Sequence, residues 1–410
     1  MLVLPFASLS EGEDAWLYAA GLTEEILTQL ARFKDLAVLG RETTRSVPAT
    51  ADPGLVARDL AARYEVTGAL RVLGTEVRVT SQLVGAGSGG VLWAQIYEEN
   101  LRVKNLLSIE EDIARQVAYA VTQPYGVVFR SDLQRTADQP PDDLEAYACT
   151  LRFLVYRVEP SPEAHALVRG CLKRAVVRFP GYATAWAMLS LITLDEDGFT
   201  FNPSPDEPVP IERALQAARR AVDLETDNTR ALQALMMALF FSQKVDEAVC
   251  IGDLALAANP HDSELLSEFG LRIAMAGEWQ RGRELVEQAF AGNPAYSGYY
   301  HAVLALIAYM QRDYDHAEAE IRQANLTMFS IYHAVAAVIY AERGLAAEAR
   351  EEASEFAALQ PTFLQNLESE LRKRNLRPVD RARLVQRLLK AGAPVPADAA
   401  AAAANVLKSS

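Results

Sequence analysis

Positive charge is in short supply. The chain carries 40 Lys and Arg against 54 Asp and Glu, a formal net charge of −14 over 410 residues. That deficit argues against direct nucleic-acid binding, because phosphate contacts need clustered cations. Long apolar runs are missing too. None reaches the roughly 20 residues of a membrane-spanning helix, and Met1-Leu2-Val3-Leu4-Pro5 lacks the basic start and long apolar core of a secretory leader. Cysteine is rare: Cys149, Cys171 and Cys250 show no paired spacing and read as buried thiols of a reducing, cytoplasmic compartment. The five histidines (165, 261, 301, 316 and 333) form no His-x-x-x-His pattern and the cysteines no Cys-x-x-Cys, so no zinc site is indicated. No Gly-x-Ser-x-Gly elbow marks a nucleophile. Gly85 to Gly90 is rich in glycine, but a strand-like run, Val91 to Glu98, follows it where a phosphate loop needs a helix N-terminus, so it reads as a hairpin turn. Glu110, Glu111 and Asp112 read as a solvated helix start rather than a cation site, and Trp93 and Trp186 as core. No catalytic residue, metal ligand or cofactor is expected.

What is present is a period. Asn259-Pro260 and Asn293-Pro294 lie 34 residues apart. Ala255 and Ala289 each stand five before their proline, Leu232 and Leu266 twenty-eight before it, and Ala248 and Gly282 take the small position where two helices of a hairpin cross. The spacing is that of the tetratricopeptide repeat, a helix–turn–helix unit that stacks into a solenoid. Downstream, Leu304, Ala308, Ala317, Ile321 and Ala324 keep the register with a one-residue slip, and a further unit runs from His333 through Gly344 to Pro361. Upstream, Trp186 and Leu189 open a hairpin whose second helix holds Ala214 and Ala221, and Leu144 to Pro180 forms an earlier one. About six hairpins result, over residues 144–361, with a breaker-rich insertion loop at 195–210. Two Arg- and Lys-rich helices over 362–391 fit a polar cap for the stack, and the alanine-rich 392–410 reads as a mobile tail.

The first 125 residues follow other rules. Leu2 to Phe6 is a short strand, Gly21 to Phe33 an amphipathic helix with Leu22, Ile26, Leu30 and Phe33 on one stripe, Leu36 to Leu39 a strand, and Pro53 to Leu60 a second helix. Alternating runs at Tyr64–Leu73, Glu76–Val84 and Val91–Glu98 are three strands, with Val77, Val79, Ser81 and Leu83 on one face of the middle one. A helix carrying Ile109, Ile113, Val117 and Val121 closes the unit. The order defines an α+β domain, a mixed sheet with helices on one face, followed by the all-α solenoid. Gln139-Pro140-Pro141-Asp142 lies in the linker, 126–143, and reads as the hinge.

Four strings resemble the TolB amino-terminal-like domain, in that family's order: Leu-Pro-Phe-x-x-Leu-Ser (4–10), Gly-Leu-Thr-Glu-Glu-Ile-Leu (21–27), Val-Arg-Val-Thr-x-Gln-Leu (77–83) and Gly-x-Leu-Trp-Ala-x-x-Tyr (90–97). The resemblance implies a module that precedes tetratricopeptide repeats in bacterial transcriptional activators and class-three nucleotide cyclases. In those proteins an effector, a winged helix-turn-helix or a cyclase domain, comes before the module. Here the chain begins on the module's first strand, so neither DNA binding nor cyclase activity is carried over.

The first helix of each hairpin should face the concave side of a solenoid. Its groove positions are then Arg230, Gln233, Met237 and Phe240, followed by Glu264, Ser267 and Leu271, and by Tyr299, Ala302, Leu306 and Tyr309. This mixture suits an apolar helix or extended segment of a protein or peptide partner, with Arg230 steering an acidic one; packing against the neighbouring repeat accounts for the same residues equally well. Two classes of function remain open: a non-catalytic scaffold or sensor, whose first domain takes a small ligand or second partner, and the regulatory part of an activator or cyclase whose effector is separate or lost.

Overall fold

The computed structural model describes all residues except 11–14, 34–35, 37, 40–55, 58, 61, 87–88, 101–105, 123–126, 129–130, 132–144, 159, 205, 294–296, 328 and 410. Two compact units result, Met1–Asp142 and Asp143–Ser410. The hinge prolines and the start of the expected Pro53 helix lie outside the described residues.

The first unit holds a five-stranded mixed sheet. Strands β1 (Leu2–Val3) and β2 (Ala7–Ser8) both pair parallel to β3 (Tyr64–Leu73). Strands β4 (Glu76–Gly85) and β5 (Val91–Asn100) follow as an antiparallel meander. Helices α1 (Ala15–Leu30) and α2 (Leu106–Thr122) supply Leu22, Ile26, Ile113 and Val117 to one core with Val77, Val79 and Leu83 of β4. Alternation along β4 produces this one-sided burial, since every second side chain points the same way. The expected strand over 36–39 does not form: its described residues are irregular, although the Leu39 amide donates to the Met1 carbonyl at 2.9 Å. Around the glycine run, the Gly85 amide bonds the Gly90 carbonyl at 3.0 Å, and Gly89 takes a positive φ of 65° that glycine alone adopts freely.

The second unit is a row of six helical hairpins. They are α3 (Glu145–Val158) with α4 (Pro162–Arg178), α5 (Ala183–Gly198) with α6 (Pro210–Leu224), and α7 (Thr229–Phe241) with α8 (Val245–Ala258). Then come α9 (Ser263–Met275) with α10 (Trp279–Gly292), α11 (Ser297–Met310) with α12 (Tyr314–Ala324), and α13 (Ser330–Arg343) with α14 (Ala346–Leu359). Asn228 and Asp262 cap the first helices that follow them, accepting from the amides of Ala231 and Leu265. The buried Asn259 of the Asn-Pro turn accepts from the His261 amide at 3.1 Å. Close crossing explains the small-residue register: a Cβ on Gly282 would sit 2.5 Å from the Gly270 carbonyl oxygen. Leu266 is fully enclosed, whereas Trp186 is partly buried and packs against the core, its indole N–H donating to the Pro180 carbonyl. Two histidines tie first helices to second ones: His301 Nδ1 lies 2.6 Å from Glu320, and His333 Nδ1 lies 2.6 Å from Glu352.

Four expectations are corrected. Helix α5 runs on to Gly198, so the expected insertion loop begins only after the helical turn that contains Asp195 and Asp197. Cys149 and Cys171 are not free thiols but a disulfide across the first hairpin, their Cα atoms 5.5 Å apart. Antiparallel helices bring together residues that spacing alone does not pair. Such bonds persist in oxidising surroundings, so a reducing compartment does not follow from the cysteines. The basic helices α15 (Pro361–Gln365), α16 (Leu367–Lys373) and α17 (Pro378–Ala391) do not turn all their cations to solvent. Lys373 pairs with Asp197 at 3.1 Å, Asn375 donates to the Phe240 carbonyl, Arg383 to the carbonyls of Tyr309 and Met310, and Arg387 pairs with Glu342. The segment is a strap along the C-terminal ends of first helices, where orphan carbonyls and the helix dipole favour cations. Lastly, the expected tail contains α18 (Ala397–Ser409), held to α17 by the buried Ala403 and by Gln386, which donates to the Ala400 carbonyl. Alanine has the highest helix propensity, which favours this outcome.

Leu266→Ala is expected to cost roughly 2–5 kcal/mol by leaving a cavity, and Gly282→Ala about 1–3 kcal/mol by forcing the hairpin crossing apart. Urea unfolding measures both, and unchanged midpoints would place the hairpin register elsewhere. Limited proteolysis is expected to cut first between residues 126 and 143 and to leave two resistant fragments.

Candidate functional site: a charged cavity on the concave face

First helices of the six hairpins, α3, α5, α7, α9, α11 and α13, contribute to one cavity of about 230 Å³, and the strap closes one side of it. Its polar centre is Glu268 on α9. The Glu268 carboxylate receives Arg157 Nη2 of α3 at 2.9 Å, Arg272 Nη2 at 2.8 Å and the Tyr299 hydroxyl of α11 at 2.9 Å. Burial works against its charge, but the fields of Arg272 and Arg157 and the hydrogen bonds from Arg272 and Tyr299 prevail and hold it below the usual carboxylate range. Arg157 also reaches Glu264, at 3.9 Å. Arg272 lies 5.2 Å from the Phe241 ring centre, a cation–π distance.

Asp195, in the last turn of α5, is different. It lines the cavity and is about nine-tenths buried, and the Tyr156 hydroxyl donates to its Oδ2 at 2.9 Å. Burial pushes its carboxyl up from 3.8 to about 6, with Glu268 adding to the rise and Arg157 and Tyr156 opposing it. Burial and the Asp195 charge likewise raise the Tyr156 phenol. Next to it, Glu196 points the other way, into ion pairs with Arg169 and Arg213, each at 2.6 Å. Those pairs secure the loop that follows α5.

The groove positions read from the sequence divide. Gln233, Met237, Glu264, Leu271 and Tyr299 line the cavity. The other six do not. Ser267 is buried and donates to the Glu264 carbonyl. Ala302 and Leu306 pack into the hairpin core. Phe240 and Tyr309, each 1% exposed, lie beneath Arg272 and Arg383 and take the packing role rather than that of open anchors. Arg230 is buried between Asp262, at 3.1 Å, and Glu264, at 3.3 Å, so its charge is compensated internally and it does not steer an acidic partner. Sequence reasoning missed Arg157, Asp195, Glu268, Arg272 and Lys373. A signal did exist for two of them, because Glu264, Glu268 and Arg272 recur every four residues and form one stripe of α9. Among the described residues no group of three or more His, Cys, Asp or Glu is placed to hold a metal ion, and no helix is long and apolar enough to cross a membrane.

No family model matches the chain. Over 252 residues it is 28% identical to "Putative adenylate cyclase 3" of Rhizobium meliloti (strain 1021), an alignment that covers 60% of this chain and 41% of that protein. The chain therefore spans about two-fifths of the length of this curated relative. Similar solved structures include the APC/C hetero-tetramer Cut9–Hcn1, 12% identical, covering 73% of this chain and 60% of that one, with a TM-score of 0.45. Others are PilF of Pseudomonas aeruginosa, 17% identical, covering 56% and 98% with a TM-score of 0.38, and YrrB, described as a tetratricopeptide protein with an unusual peptide-binding site, 14% identical, covering 48% and 97% with a TM-score of 0.31. Likenesses this low leave the hairpins to be read from the chain's own helices.

A lifted carboxyl pKa has a definite sign. The stability that Asp195 contributes is full below its unfolded value of 3.8 and is lost as pH rises through about 6. Asp195→Asn keeps an acceptor for Tyr156 and removes that loss. The variant is expected to melt close to the parent near pH 4, to gain on it as pH rises through about 6 and to hold that gain at pH 7.5. Parallel melting curves at all pH values would mean that Asp195 is not desolvated.

Proposed function

We propose that the chain is a non-catalytic interaction module that holds a segment of a protein or peptide partner on its concave face. The cavity itself carries this reading: side chains from six hairpins converge on it, and their hydrogen bonds hold them for contact rather than for proton transfer. The hydroxyl–carboxylate pair there, Tyr156 with Asp195, has a phenol that burial holds protonated and is read as structural. The apolar walls at Met237, Leu271 and Met275, with the Glu268 network at the centre, fit a segment that brings both apolar and polar groups. The first unit, which resembles the TolB amino-terminal-like domain, takes a small ligand or a second partner in this reading; a cytoplasmic location, expected from the sequence, stands against the Cys149–Cys171 disulfide.

A second reading has one observation in its favour, the similarity to the Rhizobium protein. In it the chain is the regulatory portion of a cyclase or transcriptional activator, and partner binding at the cavity governs an effector that is encoded separately or lies in a longer form of the protein.

Met237→Ala combined with Leu271→Ala is expected to weaken partner capture in pull-downs while the helical circular-dichroism signal stays close to the parent's. Undiminished capture of the same partners would move binding off the concave face. Purified chain is expected to form no cyclic AMP from ATP, and any turnover would overturn the non-enzyme reading.

A further inference from the structure

Carboxylates around the cavity differ in one respect. Glu264, Glu268, Asp197 and Glu370 each have an ion-pair partner: Arg230, Arg157, Lys373 and Arg374, respectively. Asp195 has a hydroxyl and, among the described residues, no ion-pair partner. A buried carboxylate without a cation is costly, and a ligand that brings one recovers part of that cost. Tyr156, Phe199, Phe241 and Tyr299 line the same space and add aromatic surface for an apolar stem, although Arg272 already lies over the Phe241 ring. At about 230 Å³ the cavity falls below the roughly 300 Å³ where pockets for whole drug-sized ligands begin, so it suits a single side chain.

We propose that this cavity receives the primary ammonium of a lysine side chain on the partner segment, with Asp195 as its counter-ion and the aromatic rings around its methylene stem. The inference rests on the concave-face reading and sharpens it. The chain supplies an internal example at the cavity's rim, where Lys373 of the strap inserts its ammonium between Asp197, at 3.1 Å, and Glu370, at 3.0 Å. A net charge of −14 favours a basic partner by long-range attraction as well. The polarity is opposite to the one that Arg230 suggested.

Calorimetric titration of the full chain tests this with three probes of one shape: 4-phenylbutylamine, 4-phenylbutanol and 4-phenylbutyrate. The amine is expected to bind at least tenfold more tightly than the alcohol, and the acid most weakly. Asp195→Asn should erase the amine's advantage, while Asp206→Asn, in the exposed loop, should keep it. Lys373→Met, which frees Asp197, should strengthen amine binding. The lysine peptide acetyl-Ala-Leu-Lys-Leu-Ala-amide should displace the amine, and its Lys→norleucine version should not. An amine that binds no better than the alcohol, or equally well to Asp195→Asn, overturns the proposal. Amine binding that the lysine peptide leaves untouched overturns the assignment to a partner side chain. Pull-downs through Met237 and Leu271 do not depend on Asp195, so failure here is distinguishable from failure of the concave-face reading.

Discussion

Arg157 and Glu268 belong to the first and fourth hairpins, yet their charged groups lie 2.9 Å apart. A solenoid of stacked hairpins has no covalent reason to bring its first and fourth units together, since each repeat is built against its neighbours. This pair, with Arg272 and Tyr299 completing the shell, does so across the concave space. The geometry has an energetic condition. A carboxylate buried this deeply persists as a charge only with several donors around it, and removing both Arg157 and Arg272 would leave an uncompensated ion, which is strongly destabilising. Curvature of the solenoid and the electrostatics of its cavity are therefore one problem with one solution.

The strap answers a different requirement. Every first helix ends with carbonyls that no helical amide can reach, and these ends share one rim. Asn375 and Arg383 donate to such carbonyls at the ends of α7 and α11, while Lys373 and Arg387 meet acidic side chains at the ends of α5 and α13. A basic segment lies there because helix C-termini attract positive charge. Asp195, in the last turn of α5, has no cation of the strap in contact with it; the positive fields that reach it are those of Arg157 and Arg272.

Local periodicity made much of this fold legible. The hairpins, the three long strands and the inward face of β4 follow from spacings of 3.6 and 2 residues, together with the small residues at Gly282 and Ala248. Legibility fails where contacts are distant in sequence. Nothing near Arg157 announces Glu268, 111 residues away, and nothing near Lys373 announces Asp197, 176 residues away. Asp195 was hidden for a local reason: the Asp-Glu-Asp-Gly string resembles a loop, but buried neighbours on α5 extend the helix through it. Phe240 and Tyr309 misled in the opposite direction. Arg272 and Arg383 cover them, and covering groups from other segments or turns leave no mark on local spacing. The disulfide belongs with these cases, because Cys149 and Cys171 meet only once the first hairpin closes.

Order of synthesis gives the strap a further meaning. A chain emerging from the ribosome can stack each hairpin on the one before it, because those contacts are between neighbours. The wall at Asp197 cannot be completed in that way, since its other half, with Glu370, Lys373 and Arg374, arrives last. Until residues 373–387 have emerged, six hairpins can stand assembled with one side of their cavity open and its acidic groups uncovered. A nascent or shortened chain is in that sense a distinct species from the finished one, equal in repeats and unequal in surface.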